Sequence, residues 1–358
     1  MQFKSLIDYV VAALCYLLIN FVVFHGSLYR YLCKPESYAG NVYSRLQVLK
    51  EIERKTNDGV VAFVGDSITE EGVDAARFSA NTGQVAANLA LPGASPLDLS
   101  FFLRAIDPDK ERFEAIVLTF IPQNVRTQAH DDGIQTLLPV ANISLMLEYL
   151  STRRNPWRHR EDYYVAFDRI FGFRRDLREL FLNPDRWRNL IQDRQEQLEK
   201  VRNYDGQPFD VCEVKINPNN RRVISWGDVH DAETRRLTRH NINRIARLNR
   251  KPEASGIGEP LRRITESYGN TNTEVIVISV PFGPGNHINT DAPVIKKYLT
   301  DVERLGRASR MQHWTAFQLG FFHDCSNFFD YRHLNHKGRQ IFSDWIAQQW
   351  ARTSMQRR

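Results

Sequence analysis

Several signatures are missing from this chain of 358 residues, and each absence removes a class of function. There is no G-x-x-x-x-G-K-[ST] run and no dinucleotide fingerprint, so nucleotide chemistry has no support. The G-x-S-x-G elbow of α/β-hydrolases is absent. Four cysteines are present, Cys15, Cys33, Cys212 and Cys325, and none forms a C-x-x-C pair. That argues against a zinc ribbon or a thioredoxin-like centre. Cys15 reads as a small hydrophobe, and Cys212 and Cys325 could pair in an oxidising compartment. No zinc-finger spacing, RNP-like aromatic segment or basic heptad repeat occurs, so no nucleic-acid partner is expected. Internal repeats and low-complexity tracts are lacking too.

What is there is a folded globular composition, 42% hydrophobic and 25% charged, with a net charge of +6. The isoelectric point near 9.1 favours acidic partners such as lipid headgroups or anionic glycans. A solvated basic surface explains it equally well.

From Leu6 to Phe24 the chain reads LIDYVVAALCYLLINFVVF. Nineteen such residues in a helix span about 28 Å, close to the hydrocarbon thickness of a bilayer. Asp8 lies at one edge, and Asn20 is the strongly polar residue deeper in. VVFHGS makes a poor signal-peptidase site, so an uncleaved anchor over 1–25 is expected. Charges flank both sides, Lys4 on one and Arg30 and Lys34 on the other. The short basic tail favours the N-terminus inside and the rest of the chain outside the cytoplasm. The expectation is a single-pass protein of the inner membrane whose main domain is periplasmic or otherwise extracytoplasmic.

Residues 26–58 read as a partly helical linker. Beyond it, short apolar runs alternate with helical spacings. Strands are expected at Val60–Val64, Gln84–Leu91, Ala115–Ile121, Glu274–Val280 and Trp314–Leu319. Helices are expected at Leu97–Ala105, Pro293–Arg304 and Lys337–Trp350. This alternation predicts an α/β domain over 59–350 with a central, mostly parallel sheet covered on both faces, a three-layer sandwich. A mostly helical, arginine-rich insertion at about 128–269 interrupts it, with Arg235, Arg236, Arg239, Arg244, Arg247 and Arg250 on one expected helix. It reads either as a lid or docking face for an acidic polymer or membrane, or as a solvated subdomain. A basic tail closes the chain at 351–358.

The chemistry lies in two strips. VAFVGDSIT places Ser67 directly after an apolar strand, where open α/β sheets carry their sites. Gly65 permits the tight turn, and the Ser67 N–H at a helix start can face an oxyanion. An N-capping serine of an ordinary helix would read the same way. DYRHLNHKG places Asp330 three residues before His333, so that a carboxylate can hold the imidazole in one tautomer while leaving Nε2 free. His323, His333 and His336 with Asp324 and Asp330 are also metal-capable residue types, but the triad reading already uses His333, and no metal is expected. Gly283-Pro284-Gly285-Asn286 after the fourth strand reads as a loop at the same sheet edge.

Together these strips resemble the first and last blocks of the GDSL/SGNH hydrolase superfamily. The resemblance implies Ser67 as nucleophile, His333 as general base and Asp330 as its partner. It further implies an oxyanion hole of the Ser67 N–H, Gly93 from ANLALPGAS, and Asn124 from the third block. That block reads Pro122-Gln123-Asn124-Val125 and lacks the usual Gly and Asp, which makes Gln123 a substitute candidate. The layout is similar to the membrane-anchored branch that moves acyl groups on or off extracytoplasmic glycans. Implied partners are an acylated glycan or other ester, the membrane, and a membrane-bound acyl-donor or polysaccharide-assembly protein, with no cofactor. Two alternatives remain open at this point: a catalytically silent scaffold of a polysaccharide complex, and a lipid or thioester hydrolase.

Overall fold

The computed structural model describes residues 2–25, 33–56, 59–122, 133–152, 160–208, 214–216, 223–226, 257–281, 293–330 and 332–355. Two compact units divide the chain, one from residues 1–47 with 131–202 and the other from 48–130 with 203–358.

In the second unit five strands form one parallel sheet: β1 (Val60–Gly65), β2 (Ala86–Asn88), β3 (Phe113–Phe120), β6 (Glu274–Ser279) and β7 (Gln312–Thr315). A separate antiparallel pair, β4 (Val214–Ile216) and β5 (Val223–Trp226), precedes β6. The sheet order is β2-β1-β3-β6-β7. The strand order therefore reverses beside β1, and at such a switch point the carboxyl ends of neighbouring strands open a crevice. Every residue of β1 is buried, as the unbroken run VVAFVG requires of a central parallel strand. Its alternate residues Val61 and Phe63 share a core with Val117, Ile276 and Ile278, and with Phe342, Ile346 and Trp350 of the last helix. Phe78 joins them, edge-on to both Phe63 and Trp350.

The expected strands are all present, each with somewhat different bounds, and two differ most. Around β2 the ladder bonds run from Val61 N–H to Val85 O (2.8 Å), through Leu89 N–H to Phe63 O, to Leu91 N–H to Gly65 O. The strand proper is shorter than Gln84–Leu91. The last strand begins at Gln312 and ends at Thr315, whereas Trp314–Leu319 was expected. Its first residues are polar because neighbours satisfy them: Gln312 donates to Glu274, and His313 bonds Ser279. The helices Pro96–Ile106, Pro293–Ala308 and His336–Met355 each extend somewhat past their expected ends.

In the first unit an α-helix, Gln2–Leu18, continues as a π-helical turn, Ile19–Phe24. Ile7–Phe24 is long and apolar enough to cross a membrane. Helices Ile143–Ser151, Arg160–Phe167, Arg169–Gly172, Arg174–Leu182 and Pro184–Arg202 follow in this unit. Helix Tyr38–Glu53 lies within the stretch read as a linker. The arginine run 235–250 and the Gly283–Asn286 loop lie outside the described residues.

Candidate active site

Strand β1 ends at Gly65, and Asp66 caps the six-residue helix Ser67–Gly72 by accepting from Ile68 N–H at 2.9 Å. A Cβ on Gly65 would stand 1.8 Å from Thr69 Oγ1, so a side chain there would displace the start of this helix. Ser67 is the first helical residue, a position whose N–H has no acceptor within the helix. Asn88 of β2 ties down the other end of the helix. Its amide donates to Thr69 O (3.2 Å) and Val73 O (2.9 Å), while its own oxygen accepts from Ala90 N–H.

The second strip folds into a closed loop. Phe329 N–H donates to His333 O at 3.1 Å, and Phe328 bridges Leu334 in antiparallel fashion. Inside this loop Asp330 Oδ1 accepts the backbone N–H groups of Arg332 (2.8 Å) and His333 (2.7 Å). Its Oδ2 lies 2.7 Å from His333 Nδ1. The remaining ring nitrogen, Nε2, lies 2.8 Å from Ser67 Oγ. With the carboxylate on Nδ1, the network assigns the proton to Nδ1 and leaves Nε2 to accept from Ser67. Phe329 stacks on the buried imidazole at 10° between planes, fixing the ring's tilt.

Electrostatics separates the two nearby aspartates. Burial works to raise the Asp330 carboxyl. The charge and hydrogen bond of His333, with the two backbone N–H donors, outweigh it and hold the group below its ordinary value. Asp66 goes the other way: burial raises it, against the pull of Ile68 N–H, Arg332 and His333.

The spacing of the last strip has a mechanical reason. Asn335 accepts from Gly338 N–H (3.1 Å) at the start of the final helix and donates to Ser326 O (2.8 Å). A Cβ on Gly338 would meet Asn327 O at 2.2 Å, so the final helix approaches the loop this closely through its glycine.

Gly93 stands in the turn Leu91-Pro92-Gly93-Ala94, closed by Ala94 N–H to Leu91 O (3.0 Å), with φ +81° at Gly93. Proline second and glycine third is the signature of a type II turn. The bond from Leu91 N–H to Gly65 O (2.7 Å) sets this turn at the edge of the sheet where β1 delivers Ser67. Asn124 and Gln123 lie outside the described residues.

Three groups were not singled out in the sequence. Glu71, one turn after Ser67, accepts from Tyr204 OH, and the Arg339 guanidinium lies over the Tyr204 ring at 4.9 Å. Arg339 also donates to Glu70 O at 2.8 Å. Burial raises the Glu71 carboxyl, opposed mainly by the Tyr204 hydrogen bond. Beside them Gln207 O accepts from His336 N–H, and Asp205 O lies 2.7 Å from His336 Nδ1. Asp324 accepts from Ser326 N–H at 2.9 Å. Thus His336 and Asp324, both considered as metal ligands, are engaged in local contacts.

A hydroxyl, an imidazole and a carboxylate in one line can deprotonate the hydroxyl and stabilise the resulting imidazolium, the requirement for acyl transfer. No family model, curated protein or solved structure matches the chain.

Proposed function

We propose that this chain is an SGNH-type serine esterase or O-acyltransferase, a three-layer α/β domain tethered by its N-terminal helix. The single supporting observation is the continuous line from Ser67 Oγ through His333 to Asp330, at 2.8 and 2.7 Å. Ser67 Oγ attacks an ester carbonyl carbon while His333 Nε2 takes its proton. The carbonyl π pair moves onto oxygen, where the N–H groups of Ser67 and Gly93 receive it. Collapse expels the alcohol, which takes the proton back from His333, and leaves an acyl-serine. Water or a sugar hydroxyl then repeats the sequence in reverse roles. The acyl group we assign is acetyl, and the acceptor or donor is an extracytoplasmic glycan, in keeping with the apolar anchor and the basic net charge.

The test is covalent labelling with a fluorophosphonate followed by turnover of a chromogenic acetyl ester. Labelling at Ser67 that vanishes in Ser67→Ala is the expected result. A folded wild-type protein that resists the probe overturns the enzyme reading in favour of a silent scaffold. Faster turnover of lipid-soluble thioesters than of acetylated sugars would reassign the substrate.

A further inference from the structure

The first unit holds an apolar span and, against it, helices that leave Tyr164, Phe167, Phe181 and Leu182 exposed. Two polar groups of the span bond to this set of helices, one of them buried. Asn20 is 2% exposed; its amide donates to Phe167 O (2.9 Å) and its oxygen accepts from Arg169 N–H (3.0 Å). Tyr16 OH donates to Asp168. Farther along, Phe24 stacks near Phe173. If Ile7–Phe24 crosses the bilayer, these bonds pin residues 167–169 beside Asn20, four residues inside the end of the span and so about 6 Å below it.

Polar groups at that level need protein partners, and Asp168 and the terminal nitrogens of Arg169 have them. Asp168 takes Tyr16 OH and also Phe171 N–H (3.1 Å). Arg169 is buried and donates to Leu138 O (2.9 Å) and to Ala141 O. Two aromatic side chains of the same helix are instead outside: Phe167 is 52% exposed and Tyr164, one turn earlier, 64%.

Helix Arg174–Leu182 repeats the pattern with charge sorted by face. Its acids turn inward, Asp176 accepting from Lys34 N–H (3.1 Å) and Ser37 Oγ (3.2 Å), and Glu179 from Lys34 Nζ (3.3 Å). The exposed arc carries Arg175 and Arg178, then Phe181 at 78% and Leu182 at 66% exposure. Basic and apolar groups on one arc match an anionic leaflet: the rings enter the acyl boundary, and the guanidinium groups reach the phosphates.

We propose that residues 160–182 form a second membrane-seated element, an interfacial platform beside the span that inserts Phe167, Phe181 and Leu182 and binds anionic phospholipid through Arg175 and Arg178. The inference rests on Ile7–Phe24 crossing the bilayer and is independent of the catalytic reading.

The test uses the full chain with its four cysteines replaced by alanine. Single nitroxide labels go on Val11→Cys, Tyr164→Cys, Phe181→Cys and Arg307→Cys, in vesicles of phosphatidylcholine and phosphatidylglycerol. Labels at 11, 164 and 181 should collide more with oxygen than with a water-soluble nickel chelate, and the label at 307 should do the opposite. Labels at 164 and 181 that behave like 307 overturn the platform and leave the span standing. Immobilised labels shielded from both reagents mean that a protein covers this face, which also overturns it. A water-exposed label at 11 removes the span and the platform together. A second measurement leaves the native cysteines in place. In nanodiscs of the same lipids, amide exchange over 174–182 should be about tenfold slower than in the double variant Phe181→Asp, Leu182→Asp. Both side chains are exposed, so the variant retains its fold. Equal exchange rates overturn the proposal.

Discussion

Two serine–histidine pairs of the same length occur at carboxyl ends of strands in one sheet. Ser67 Oγ lies 2.8 Å from His333 Nε2, and Ser279 Oγ lies 2.8 Å from His313 Nε2. Their surroundings differ in three ways. Ser279 is fully buried, whereas Ser67 is partly exposed. Ser279 Oγ is also shared with Tyr298 OH at 2.8 Å. His333 has Asp330 behind it, while among the described residues no carboxylate hydrogen-bonds the His313 ring, and burial lowers its pKa. A serine–histidine distance by itself therefore identifies nothing. Access to the hydroxyl and a carboxylate behind the ring make one pair suited to chemistry and the other suited to closing a core.

The sharpest way to break this contrast is to remove each serine in turn. Ser67→Ala should lower ester turnover by about 10⁶-fold and abolish fluorophosphonate labelling. Ser279→Ala should leave labelling intact, and loss of labelling there would mean that the wrong pair was chosen. Asp330→Asn keeps the shape but favours the wrong tautomer of His333, and a drop in turnover of about 10⁴-fold is expected. A change under tenfold would mean that the carboxylate does not orient the base.

Smaller effects concern stability. Gly338→Ala pushes a methyl against Asn327 O and should cost about 2–3 kcal/mol, read by denaturant unfolding. Ser279→Ala strands Tyr298 OH and the His313 ring and should cost about 1–2 kcal/mol, with esterase activity unchanged. The smallest is a pH effect. Asp330 is held below its ordinary value in the fold, so its ionised form contributes stability that is complete above the unfolded value of about 3.9. That contribution disappears as pH falls through the unfolded value toward the lower folded one. The difference in Tm between wild type and Asp330→Asn should shrink over that acid range, and a constant difference would refute the assignment.

Much of the sheet was legible because buried parallel strands leave unbroken apolar runs, as in VVAFVG and EVIVIS. The strand Gln312–Thr315 was misplaced because its leading side chains are polar and are satisfied across the sheet, which no local pattern records. The hydrogen-bonded line of Ser67, His333 and Asp330 was readable because spacing within each strip encodes the local turn: three residues from Asp330 to His333, and three from Asn335 to Gly338. The Glu71–Tyr204 bond was not, since its partners lie 133 residues apart and neither sits in a distinctive motif. Asn20 was visible as a polar residue in an apolar run, but its partners, 147 and 149 residues away, were not.

Ser67 and His333 are separated by 266 positions in the chain. At a synthesis rate of about 5–20 residues per second, the ribosome makes the hydroxyl roughly 13 to 53 s before the imidazole that would activate it. Any product that stops short of residue 330 lacks both the Asp330 carboxylate and the His333 ring that Ser67 bonds. On the proposed reading, activation of the hydroxyl therefore waits on the order in which the parts emerge.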